Sequence, residues 1–199
     1  MEMKGEQLVP ASQASTWAAL NDPEILKVCV PGCESIERVT DNEYAVLMTA
    51  RIGPVAAKFK GKLTLSDLKP PQSYRIAFEG QGGVAGFGKG GAQVQLAPEA
   101  GGTRLSYQVK ANVGGKLAQI GSRLVDAAAR KLANDFFTAF NEKVASLHGA
   151  AHGAHEEHAE HHPEPVPRDP DLPDLPQSSL AFFAAGALVV FVVALVALF

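Results

Sequence analysis

Between residues 33 and 114 apolar and polar side chains alternate with a period of two, and clusters of turn residues interrupt them at short intervals. A helix repeats every 3.6 residues and a strand every two, so this stretch can only be strands. The breaks fall at Thr40-Asp41-Asn42, Gly53-Pro54, Lys69-Pro70-Pro71-Gln72, a glycine-rich run near residue 85, and Ala100-Gly101-Gly102. Connections this short join antiparallel neighbours, giving about six strands, and residues 1–9 supply another, for about seven in all. Tyr44, Val46, Met48 and Ala50 share one face, as do Phe59, Gly61, Leu63 and Leu65, while Lys58, Lys60 and Lys62 take the other. Tyr74, Ile76 and Phe78, then Ala92, Val94 and Leu96, then Leu105, Tyr107, Val109 and Ala111 continue the apolar face. One face apolar and one wet describes an antiparallel sheet covered on a single side.

The cover comes next in the chain. Residues 116–147 run 32 positions without proline, and Leu117, Ile120, Leu124, Ala128, Leu132, Phe136, Phe140, Val144 and Leu147 recur at three and four. That stripe predicts one helix about 48 Å long lying across the sheet, with Gly121 allowing close approach. Ahead of the alternating region, Ser12 or Ser15 can cap a short helix over residues 13–21, and Asp22-Pro23 starts a second over residues 24–28. The fold class is α+β, with 1–148 as one domain.

The remaining 51 residues have no such pattern. Residues 149–179 hold five histidines, seven acids and six prolines, a composition that cannot bury enough surface to offset chain entropy, so they are expected to be a disordered tether. Its histidines, with His148, sit three and four apart; a solvated, pH-sensitive tether is the plain reading and a metal-binding face the alternative. Residues 180–199 carry no charge, no proline and one glycine, enough helix to span about 30 Å of hydrocarbon. They are expected to anchor the chain in a membrane. The first residues lack the pattern of a secretory signal, so the domain is expected on the cytoplasmic face of the inner (cell) membrane.

Charge narrows the partners. Residues 1–148 carry 17 Lys+Arg against 14 Asp+Glu, a net of +3 that is too small for a nucleic-acid footprint. Lys58, Lys60 and Lys62 read as a solvated face, with anionic lipid or an acidic protein as the alternative. Cys29 and Cys33 supply two ligands where a structural zinc needs four, so they read as small side chains flanking a turn.

Gly86-Phe87-Gly88-Lys89-Gly90-Gly91 matches the dinucleotide pattern in letters only, because a strand and not a helix follows it. The seven glycines between residues 80 and 91 instead let strands bend or leave space where side chains would have stood. With Ala50, Ala57, Gly61, Ala92 and Ala111 on the covered face, the helix either lies closer or leaves a cavity. A cavity there would be lined by Tyr44, Met48, Phe59, Tyr74, Phe78 and Tyr107, with tyrosine hydroxyls as the donors. No Asp, Glu, His, Lys or Arg falls on that face, so acid-base catalysis has no agent and an enzyme is not expected.

A strand, two short helices, a run of antiparallel strands and a long helix is the order of the START-like (Bet v-like, SRPBCC) helix-grip fold. Ala18-Ala19-Leu20-Asn21-Asp22-Pro23, Val30-Pro31-Gly32-Cys33, Ile52-Gly53-Pro54-Val55, Phe59-Lys60-Gly61, Gly82-Gly83-Val84-Ala85-Gly86-Phe87 and the block from Gly114 through Gly121 resemble the CoxG family of carbon monoxide dehydrogenase subunits. The resemblance covers residues 1–147. It implies a non-catalytic protein that recruits a molybdenum carbon monoxide dehydrogenase to the membrane. It also implies a respiratory quinone, menaquinone or ubiquinone, held without a covalent bond in the helix-grip cavity, coupling the enzyme to electron transport. On that reading Phe87, Leu124 and Phe136 join the lining. A recruitment or assembly module with no ligand is the alternative.

Overall fold

Strand β1 (Glu2–Val9) leads into α1 (Gln13–Ala19) and α2 (Pro23–Cys29) in the computed structural model, which describes residues 1–152. Ser12 caps α1, its hydroxyl accepting from the Ser15 N–H at 3.1 Å. Asp22 caps α2, accepting from Glu24 N–H at 2.9 Å, with Pro23 in the first turn where its missing donor costs nothing. Six strands follow: β2 (Cys33–Thr40), β3 (Glu43–Ile52), β4 (Val55–Lys69), β5 (Ser73–Gln81), β6 (Phe87–Glu99) and β7 (Gly102–Gly114). They form one antiparallel sheet in the order β1-β7-β6-β5-β4-β3-β2. The chain therefore meanders from β2 to β7, and β1 returns to the edge beside β7.

The C-terminal part differs from the single helix read in the sequence. A short helix α3 (Lys116–Gln119) stops at Gly121, whose φ of +92° no right-handed helix tolerates, and α4 (Ser122–His152) begins there. The buried stripe is also rotated. Val125, Ala129, Ala133, Phe136, Phe137, Phe140 and Val144 face the sheet, whereas Leu124 is 51 % and Leu147 45 % exposed. Small alanines turn inward where helix and sheet approach closely, and phenylalanines do so toward the C-terminal half of α4. Phe136 packs on Phe137 and Phe140 with ring centroids 5.2 and 5.5 Å apart, and Phe137 stacks on Tyr107 at 5.6 Å. Burying one such ring is worth about 2–3 kcal/mol before entropy is counted.

Polar ties close the edges. Thr103 donates its hydroxyl to the Ala11 carbonyl at 2.8 Å, and Gln13 donates to the Leu96 carbonyl at 2.8 Å, fastening the start of α1 to β6 and β7. The expected membrane helix and all but the first four residues of the expected tether lie outside the described residues. Among the described residues no helix is long and apolar enough to cross a membrane.

The turn between β5 and β6 shows what backbone conformation demands. Gly86 has φ +121°, and a Cβ there would lie 2.0 Å from the Gly114 carbonyl oxygen, whereas Gly83, at φ +60°, has nothing within 4 Å. Gly83→Ala should cost about 1 kcal/mol from backbone conformation alone, and Gly86→Ala about 3 kcal/mol or more, because two backbones must separate. Urea unfolding midpoints of the two variants check the order.

Candidate functional site

The covered face is organised in cross-strand rows fixed by the register. One row runs Tyr44, Leu63, Phe78, Gly90, Ala111 across β3 to β7. The next runs Val46, Gly61, Gly80, Gly88, Val113, so three paired glycines on β4, β5 and β6 leave a band of the inward face without side chains. Met48 and Phe59 pair in the row beyond it. On the other flank Tyr74, Val94, Tyr107 and Gly5 are aligned across β5, β6, β7 and β1.

Aromatic rings occupy several neighbouring glycine positions. A Cβ on Gly82 would lie 2.0 Å from the Phe59 ring, one on Gly5 2.4 Å from the Tyr107 hydroxyl, and one on Gly90 2.6 Å from the Phe78 ring and 2.1 Å from the Lys110 carbonyl oxygen. These glycines are seats for rings, which the sequence alone presents only as bends or vacant space. The lining is thus built by large rings lying over glycines, with the Gly61-Gly80-Gly88 band between the rows.

Seven of the nine residues singled out from the sequence are buried: Tyr44, Met48, Phe59, Tyr74, Phe78, Tyr107 and Phe136. The other two are not inward. Phe87 is 49 % exposed because its neighbour Gly88 takes the inward position, and its ring lies over Gly114 on the outer face. Leu124 is outward because α4 is rotated by about one position from the phase that its leucines suggest. Val125 and Ala133 stand on the inward side of α4 and are missed by a stripe drawn through the leucines, while Ala129 and Phe137, small and large residues expected to pack on this helix, are buried there too.

The polar chemistry of the interior is sparse. The Tyr44 and Tyr74 hydroxyls are buried and have no hydrogen-bond partner in the protein. The Tyr74 ring takes the edge of Trp17 at 5.4 Å, and the Arg38 guanidinium stands 5.7 Å from the Tyr44 ring centre, so both rings are held while their oxygens are not. Desolvation pushes the Tyr74 phenol far above its ordinary range; it also raises Tyr107, partly offset by Arg130. Both phenols stay protonated at neutral pH and are therefore hydrogen-bond donors. The buried polar side chains apart from tyrosine are Thr16, Asn21 and Thr103 among the described residues, none of them an acid or a base. Such an interior suits an apolar molecule with carbonyl acceptors.

The remaining candidates are structural. Cys29 is buried, Cys33 half-buried, and both are free thiols that burial pushes up to about 11. On the outer face Lys58 pairs with Glu34 at 2.7 Å and Lys62 with Glu43 at 2.8 Å, so the lysine row of β4 is partly neutralised by neighbouring strands. Residues 86–91 enter β6 directly, with no helix to hold a phosphate.

A sheet of seven antiparallel strands curled around a C-terminal helix, with an apolar inner face, defines the helix-grip class. A conserved protein from Geobacillus kaustophilus shares it at TM-score 0.69 and 31 % identity, covering 73 % of this chain and 96 % of that one. A Thermus thermophilus protein, at TM-score 0.57 and 17 % identity, covers 74 % of this chain and 99 % of that one. A Chromobacterium violaceum protein, at 0.54 and 15 %, covers 72 % and 96 %. The last two show the fold alone. The model of the CoxG family of carbon monoxide dehydrogenase subunits matches residues 5–145, and the chain belongs to that family. No curated protein matches the chain significantly.

Two measurements probe the interior. Removing an unpartnered hydroxyl should stabilise the ligand-free chain, so Tyr74→Phe is expected to raise the unfolding free energy by about 1 kcal/mol, read by thermal melting. The thiols carry a signed pH dependence. Their folded pKa of about 11 lies above the ordinary 9.0, so the neutral form favours the fold. That stability is complete below pH 9 and is lost as pH rises toward 11, while thiol alkylation of the folded chain at pH 8 stays far slower than after unfolding.

Proposed function

We propose that this protein is a membrane-tethered accessory factor that recruits molybdenum carbon monoxide dehydrogenase to the membrane and carries a respiratory quinone between its sheet and α4. The family match links the chain to carbon monoxide dehydrogenase. The observation that supports a ligand is the pair of orphan hydroxyls on Tyr44 and Tyr74. Each leaves a buried donor unsatisfied at a cost of about 1–3 kcal/mol, which a bound carbonyl oxygen would relieve. A quinone has two carbonyls and an apolar tail; either tyrosine can donate to a carbonyl, Tyr44 standing one register row from the glycine band and Tyr74 four residues before Phe78 on β5, and the band beside Phe59 and Phe78 suits the tail. The protein would bind, orient and shield this molecule without any chemical step of its own, since no Asp, Glu, His, Lys or Arg is buried among the described residues and the Tyr74 and Tyr107 phenols stay protonated.

A specific observation favours a second reading, recruitment without cargo. Rings of Phe59, Phe78 and Tyr107 already lie over Gly82, Gly90 and Gly5, as they would in an interior filled by its own side chains.

Lipid extracts of the full chain purified from its native membrane separate the two. The carrier reading expects a menaquinone or ubiquinone at near one per chain by mass spectrometry, lost by tenfold or so in Gly80→Leu at unchanged circular dichroism. A chain without quinone that also takes up none when it is added leaves the recruitment reading.

A further inference from the structure

The antiparallel order gathers the β3–β4 turn, the β5–β6 turn and the link from β7 through α3 to α4 at one end of the sheet. This end is unlike the rest of the surface. Val84 is 84 % and Phe87 49 % exposed on the β5–β6 turn and the residue that follows it, and Leu124 is 51 % exposed in the first turn of α4. The segments themselves touch through backbone and side-chain contacts. Leu124 reaches the Gly53 turn, its Cδ1 3.8 Å from where a Gly53 Cβ would stand. Phe87 lies over Gly114, and a Cβ on Gly115 would come within 2.5 Å of the Gly86 Cα.

The charge is one-sided. Residues 51–58, 81–91 and 112–125 contain Arg51, Lys58, Lys89, Lys116 and Arg123 and no acidic residue at all. Lys58 is committed to Glu34 at 2.7 Å, and the other four are exposed. Elsewhere the outer face is balanced, as in Lys62 with Glu43 and Arg104 with Glu99. Exposed apolar side chains on the β5–β6 turn and the start of α4, flanked by four exposed cations with Glu79 and Asp126 behind them, match an interface that is apolar in the middle and anionic at the rim. A lipid leaflet has that layering. A protein partner would ask for a broader continuous patch of about 800 Å².

We propose that this end is a membrane-docking surface, in which Val84, Phe87 and Leu124 enter the acyl boundary of an anionic leaflet while Arg51, Lys89, Lys116 and Arg123 meet the lipid phosphates. Docked this way, the long axis of the sheet stands on the bilayer with α1 away from it. This inference does not rest on quinone binding, and its test uses lipid without quinone.

The full chain carrying Val84→Trp is mixed with vesicles whose acyl chains are brominated. Position 84 is exposed enough to take an indole without disturbing the core. Trp17 is the internal reference, since it packs on Tyr74 at the opposite end of β5. In phosphatidylglycerol-containing vesicles the introduced indole should lose about half its emission to bromine while Trp17 keeps its own, and Lys116→Glu with Arg123→Glu should lower vesicle docking of this end about tenfold or more. Emission unaffected by bromine in those vesicles overturns the proposal. Quenching of equal size in phosphatidylcholine alone overturns it too, because the cations would then have no part. A concentration-dependent emission shift without lipid marks self-association through this end and likewise overturns it, as does masking of the indole by an acidic protein while bromine has no effect.

Discussion

Everything in this fold depends on one helix being covered by one face of one sheet. The sheet has no second layer, so the apolar face built by β1 to β7 and the inward side of α4 must satisfy each other. Phe136, Phe137 and Phe140 do most of this at one half of the helix, where they meet Tyr107 and one another. Toward its N-terminal half α4 offers Val125, Ala129 and Ala133, and the sheet offers the glycine band of β4, β5 and β6. Large residues on both partners make a firm core at one half. The pairing of small ones leaves the other half dominated by backbone, alanine and a few seated rings. A binding protein needs such a division, because the firm half holds the geometry while the sparse half gives a ligand somewhere to lie.

Glycine is used here in two senses that a sequence does not separate. Gly82, Gly90 and Gly5 are positions into which a neighbour's ring has moved, while Gly61, Gly80 and Gly88 are a paired row defined by register. Both kinds lie within or beside the same glycine-rich run. Telling them apart needs the pairing of strands that are not adjacent in sequence, which period and composition do not carry.

Much of the fold is legible in the sequence because alternation has only two outcomes. Parity alone places Tyr44, Tyr74, Phe59 and Phe78 inward, and they are buried. The short helices are legible through Ser12, Asp22 and Pro23. Three features are not. Gly121 reads as a close-approach residue inside a helix, yet its positive φ ends α3. Leu124 falls on the expected stripe because leucine outweighs alanine in any hydrophobic pattern, whereas packing distance favours the alanines. Phe87 sits in a glycine-rich run that gives alternation little to hold; parity carried back from Ala92 through Gly90 and Gly88 would set it on the wet side. Both residues fail as cavity lining for one reason: each points away from the sheet's covered face.

Whether the orphan phenols meet a ligand decides the carrier function. The chain has three tyrosines, so selective ¹³C labelling at the phenolic carbon gives three signals, for Tyr44, Tyr74 and Tyr107. With the full chain in lipid nanodiscs, titration with a short-tailed quinone should move the Tyr44 and Tyr74 signals saturably, as their hydroxyls gain an acceptor. Three signals that stay fixed through saturating quinone would contradict that function and leave a packed interior with no cargo.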